Sequence, residues 1–166
     1  EQTGAGERAS GAEEIEMRDH EWQDDEIRAA WIQRTERIGT AAAPLLEVLV
    51  EDVPEVLVAS LATGDGFHLC SIGLHEQDVG RFSALGSSLQ SVARAVTGAL
   101  PDVARNVRLD AVSLRADDVL LVYVTIEHPE LGAFIVSAAA RGISLGELQM
   151  ETARAASRLA EELREL

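Results

Sequence analysis

The chain is 166 residues long, room for one ordinary domain or one domain with an arm. Twenty-nine acidic residues against fourteen basic ones leave a net charge of −15, which repels phosphate backbones and anionic head groups and argues against nucleic-acid or membrane-surface roles. Apolar residues make up 46% of the chain but aromatics only 4%, so a core must be built from Val, Leu, Ile and Ala.

Residues 1–23 are polar, acidic and Gly-bearing, and are expected to be disordered or weakly helical. From Asp24 the pattern changes. Ile27, Trp31 and Ile38 sit at helical spacing, and Asp24, Asp25 and Glu26 complement the positive end of a helix over about 24–38. Residues 1–39 therefore read as an acidic arm whose Ile/Trp stripe docks on its own domain or on a partner. The folded domain is expected over 40–166. Thr40 is placed to cap a short helix that tolerates Pro44 in its first turn, buries Leu45, Val48 and Leu49, and stops at Val53-Pro54.

Two strand-like runs follow, Val56 to Leu61 and Phe67 to Ile72, joined by the hairpin composition Thr63-Gly64-Asp65-Gly66. Gln77 to Leu100 reads as one long helix, ended by Gly98 and Pro101. Its apolar stripe of Val79, Phe82, Leu85, Leu89, Val92 and Val96 is expected to cover a sheet. A second face carries short side chains, namely Gly80, Ala84, Ser88, Ser91, Ala95 and Gly98, and no ionisable residue lies between Arg81 and Arg94. Short side chains let another backbone come close, so this face is expected to meet another helix.

Three further strands are expected over Val107 to Leu114, Val119 to Ile126 and Leu131 to Ala138. Their short connections make them an antiparallel meander. Val107-Arg108-Leu109-Asp110-Ala111 alternates apolar and charged residues as an edge strand does, whereas Val119 to Val124 is apolar enough for a strand covered on both faces. The last helix opens on a capping box, Ser144-Leu145-Gly146-Glu147, and buries Leu145, Leu148, Thr152, Ala155, Leu159 and Leu163.

From about Thr40 to Leu163 this order of elements resembles the roadblock (dynein light chain) family, particularly its bacterial small-GTPase-regulator members. Val53-Pro54-Glu55-Val56 is similar to the Val-Pro-Gly ahead of the family's first strand, with Glu55 in place of Gly. Leu61 through Gly66 resembles its first hairpin, and Phe82-Ser83-Ala84-Leu85 resembles the start of its long helix. Leu145-Gly146-Glu147-Leu148 with Glu151 and Arg154 resembles its last helix. The resemblance implies an α+β fold of the profilin-like type, a five-stranded antiparallel sheet with flanking helices in the order α-β-β-α-β-β-β-α, here preceded by the arm. It also implies a homodimer in which the long helices pack together and the third strands pair edge to edge. The interface residues would be Gly80, Ala84, Ser88, Ser91 and Ala95 on the helix, with Val107, Leu109 and Ala111 on the strand. A Ras-like small GTPase is the implied partner. Ser83, Ser87, Gln90 and Arg94, on the side of the helix away from the apolar stripe, are the candidates for touching it.

No constellation for chemistry stands out, so no catalytic residue, metal site or cofactor is expected. Cys70 is the sole cysteine, lies in an apolar stretch and reads as a structural thiol. His20, His68, His75 and His128 have no metal-ligand spacing, and Pro129 places Glu127-His128-Pro129-Glu130 in a turn. Gly64-Asp65-Gly66 lacks the Lys-Ser/Thr of a phosphate loop, and Ser87-Ser88 lies mid-helix without a strained elbow or base. No apolar run reaches the ~18 residues a membrane span needs, no basic leader opens the chain, and a cytoplasmic location is expected. The absent initiator Met is read as trimming. Two other roles fit the same fold class: a small-molecule sensor, which needs an internal cavity with convergent polar groups, and a purely structural assembly subunit.

Overall fold

A computed structural model describes residues 6–100 and 110–166, with side chains from residue 25 onward. The chain divides into two compact units, Glu1–Arg37 and Ile38–Leu166.

The first unit is the N-terminal part of helix α1, which runs over Gly6–Asp52. The helix starts well ahead of residue 24, where the sequence reading began it. Residues 7–38 hold no proline and a single glycine, Gly11, among many Glu, Arg and Ala, so local propensity favours helix where burial patterning gave no signal. Ile27 and Ile32 are exposed on it, as is Trp31.

The second unit takes the rest of α1, from Ile38, and builds a sheet from β1 (Val56–Thr63), β2 (His68–Ile72), β3 (Ala111–Ala116), β4 (Val119–His128) and β5 (Gly132–Arg141). Helix α2 (Glu76–Gly98) follows β2, and α3 (Leu145–Leu163) closes the chain. The strand order is β2-β1-β5-β4-β3, with every pairing antiparallel. The expected hairpin and meander are both present, and they join where β1 pairs with β5, from Val56↔Ala140 to Thr63↔Phe134. The central strand is therefore β5, whose residues Phe134 to Ala140 are all buried, while β4 lies one place from the edge. The third strand occupies Ala111–Ala116. Val107 and Leu109, assigned to it from the sequence, lie outside the described residues.

The main core lies on one face of the sheet. Leu46 and Leu49 from α1, Leu148, Leu159 and Leu163 from α3, and Leu61, Val122, Phe134 and Val136 from the strands pack there. Pleating sends alternate residues to the opposite face, which α2 covers. Ser144 caps α3 by accepting a hydrogen bond from the Glu147 N–H at 3.2 Å. Leu145, expected in the buried stripe, is exposed, and Ala156 joins the stripe instead.

One further expectation is corrected. The helix does not restart at Thr40: α1 continues through Gly39, Thr40 and Pro44 without a break. Gly39, inside this helix, is a point of close approach, for a Cβ there would stand 2.6 Å from the Leu69 carbonyl oxygen on β2. In the β4–β5 turn, His128 works as a clasp, its Nδ1 accepting hydrogen bonds from the Glu130 and Leu131 N–H groups.

Candidate functional site

Helix α2 is mounted with its polar side inward. Its buried residues are Ser83, Gly86 and Gln90, whereas Leu85, Val92 and Val96 are 58, 60 and 59% exposed. The apolar stripe expected to cover the sheet is thus split: Val79, Phe82 and Leu89 are half-buried, and the remainder faces outward. The physical reason lies at Gly86. A Cβ there would come within 2.9 Å of Tyr123 Cε1, so the missing side chain is what admits the ring, on which Phe82 also stacks with centroids 6.2 Å apart. Rolling the helix to bury Leu85 would drive a large side chain into that ring.

Further contacts hold this orientation. Ser87 donates to the Gly64 carbonyl at 2.7 Å, and Gly66, at φ +93°, brings the hairpin backbone against Ala84 and Ser87. At the other end Arg94 Nη2 lies 3.8 Å from Glu127 Oε1, a half-exposed ion pair contributing less than about 1 kcal/mol.

The outward side is consequently apolar. Gly80, Ala84, Ser88, Ser91 and Ala95 are all exposed on it, as Leu85, Val92 and Val96 are. The two serines hide their hydroxyls in the helix itself, Ser88 donating to the Ala84 carbonyl at 2.9 Å and Ser91 to the Ser87 carbonyl at 3.1 Å. Large side chains form a ridge beside a groove of small ones, with no ionisable group from residue 82 to 93. Contiguous exposed apolar surface of this kind is unusual on a protein that meets only water. Among the described residues strand β3 pairs only with β4, leaving a sheet edge on which Ala111 is exposed.

No protein-family model and no curated protein matches the sequence. Solved structures do match. A Roadblock/LC7 domain from Streptomyces avermitilis is 24% identical, with 72% of this chain and 95% of that one covered at a TM-score of 0.61. The gliding protein MglB from Thermus thermophilus is 15% identical over 78% of this chain and 93% of its own, at 0.64. MglB of Myxococcus xanthus is 16% identical over 76% and 90%, at 0.60. The fold is the roadblock fold.

Within the roadblock fold the four residues expected to meet a partner do not share one surface. Ser83 and Gln90 are buried beneath α2, and Ser87 is half-buried with its hydroxyl spent on Gly64; of the four, Arg94 is exposed. The error came from assigning the longer apolar residues to the sheet, which turned the helix the wrong way round. Sequence reasoning also missed the outward ridge of Leu85, Val92 and Val96. The signal for it was the stretch free of charge, which implicates both faces of the helix and not the small one alone.

The remaining polar groups have structural settings. Ser60 and Ser137 face each other across β1 and β5, their hydroxyls 2.7 Å apart. His68 Nε2 lies 3.0 Å from the Ser71 hydroxyl, and burial lowers the pKa of the His68 imidazole. Its neutral form is the one the fold favours, whereas the unfolded chain takes up a proton below its ordinary value of 6.5. The unfolded state then binds more protons, so stability is full above pH 6.5 and declines as pH falls through it. Thermal unfolding of His68→Gln is accordingly expected to lose less Tm than the parent between about pH 7.5 and 5.5; equal losses would remove His68 from this account. Burial also pushes the Cys70 thiol up to about 12. At about pH 8 its thiolate fraction is then roughly one in ten thousand, so iodoacetamide should label the folded protein orders of magnitude more slowly than the unfolded chain. Mass spectrometry over time checks this. Among the described residues no group of three or more His, Cys, Asp or Glu side chains converges as a metal site, and no helix is long and apolar enough to cross a membrane.

Proposed function

We propose that the chain is a non-catalytic, homodimeric regulator or scaffold for a Ras-like small GTPase, acting in the cytoplasm. The observation that carries this reading is the outward side of α2, where a ridge of Leu85, Val92 and Val96 runs beside a groove of Gly80, Ala84, Ser88, Ser91 and Ala95. Ridge and groove on one helix are self-complementary under a two-fold axis: the ridge of one copy fills the groove of the other. Ala111, at the start of β3 and on the sheet edge, lies where a second sheet would continue the first, with Val107 and Leu109 preceding it.

The GTPase follows from the resemblance read in the sequence, whose bacterial members are commonly paired with Ras-like enzymes; the roadblock fold agrees with it. Two α2 helices side by side would present Arg94 near the rim of a shared platform, a cation on a chain of net charge −15. Gly64-Asp65-Gly66 lacks the Lys-Ser/Thr of a phosphate loop, so an effect on hydrolysis would come from reshaping the switch loops of the GTPase.

The test is a pull-down with a Ras-like small GTPase from the same organism, loaded with a GTP analogue, loaded with GDP, or stripped. Binding that depends on the nucleotide state is expected. Equal binding to all three forms, or none, overturns the reading.

A further inference from the structure

Between α2 and the sheet several buried polar atoms have no hydrogen-bond partner within the protein: the Ser83 hydroxyl, both ends of the Gln90 amide and the Thr125 hydroxyl. Gln90 is only 3% exposed. A primary amide carries two N–H donors and an acceptor, and enclosing them without partners costs far more than enclosing a leucine of similar size.

Contacts on either side bracket Gln90. Gly86 and Phe82 lie against Tyr123, and Arg94 reaches Glu127. Four residues of helix advance about 6 Å and two residues of strand about 6.6 Å. The helix and β4 therefore stay in phase, with residue 86 over 123 and 94 over 127. That places Gln90 over Thr125, which shares the face of Tyr123. Each of the two carries a buried polar group without a hydrogen-bond partner. Ser83 sits seven residues back, roughly 10 Å along the axis, and is not part of the pair.

We propose that the α2–β4 seam is a hydration site, with water bound between the Gln90 amide and the Thr125 hydroxyl. The chemistry of the set selects the ligand. It is neutral and offers donors and acceptors together, which suits water and satisfies neither a cation nor an anion. The Arg94–Glu127 pair lies one turn further along. Bound water explains how α2 keeps a glutamine against the sheet while its valine and leucine ridge faces out: the inward polar side is satisfied locally, so the helix gains little by rolling over.

Two measurements on the full chain test this. A crystal structure at high resolution should show a water peak within hydrogen-bond distance of both the Gln90 amide and Thr125 Oγ1. In a double-mutant cycle, Gln90→Met and Thr125→Val should each lower Tm by about 2–4 °C, because each leaves the water and the other group short of a partner. The double variant should lose less than the sum of the two. Two results overturn the proposal: a direct Gln90–Thr125 hydrogen bond with no density between them, or single substitutions that each raise Tm and add independently, as in a dry seam.

Discussion

Ser88→Arg should turn the proposed dimer into a folded monomer. In the proposed assembly Ser88 lies at the middle of the α2 groove, exposed in a single chain and with its hydroxyl already bonded to the Ala84 carbonyl. An arginine there costs the monomer little, since exposed helix positions away from special features change stability by about 0.5 kcal/mol at most. Across a two-fold contact the same change is made twice, and both cations enter a surface with no ionisable residue between Arg81 and Arg94 to receive them. An unpaired charge buried in this way costs roughly 3–5 kcal/mol, which at 1.4 kcal/mol per decade weakens association by about two orders of magnitude or more. Ala84→Arg, one turn earlier, should act alike, while Arg94→Ala should leave the dimer intact. Light scattering coupled to size exclusion reads the mass, and circular dichroism checks that the variants remain folded. A parent protein that is already monomeric at high concentration removes both the assembly and the function built on it.

That experiment depends on the orientation of α2, which the sequence conveyed only in part. The order of elements was legible because each has its own punctuation: Thr63 to Gly66 at the first hairpin, Asp117-Asp118 and His128-Pro129 in the meander, Ser144 and Glu147 at the final cap. Asp117 adopts φ 59°, a left-handed conformation that Asp tolerates better than most residues. Helix orientation has no such punctuation. Counting apolar residues at 3.6 spacing assumes that the more hydrophobic side faces the domain, and that holds only where the other side faces water. On α2 both sides are covered in the proposed assembly, so the rule loses its footing. What decides the matter is the fit of Gly86 to Tyr123, thirty-seven positions apart in the chain and unconnected by any local pattern. The same limit hid the rank of β5. Its run Phe134-Ile135-Val136-Ser137-Ala138-Ala139-Ala140 is less hydrophobic than the start of β4, yet it is central because β1 pairs with it.

Gly39→Ala should destabilise the protein although it improves the helix. Gly39 lies within α1 and is buried. By helix propensity alone, alanine at an interior position stabilises by about 0.5–1 kcal/mol relative to glycine. Against this stands the position of the new methyl, 2.6 Å from the Leu69 carbonyl oxygen and 3.3 Å from its carbon. Those are backbone atoms of β2, in a strand hydrogen-bonded to β1 through Leu61↔Cys70 and Ser60↔Ser71, and no rotamer change moves them aside. Relief has to come from separating helix and strand, which loosens Ile38, Ala42 and Leu46, all of them in the core. Overpacking of this sort costs typically 1–3 kcal/mol, so the clash outweighs the propensity gain and the net loss should be about 1–2 kcal/mol. Gly39→Leu should be worse still. Urea unfolding gives the sign directly: a midpoint shifted to lower denaturant at unchanged slope supports the close approach, and a midpoint shifted upward would mean that α1 has room to spare over Leu69.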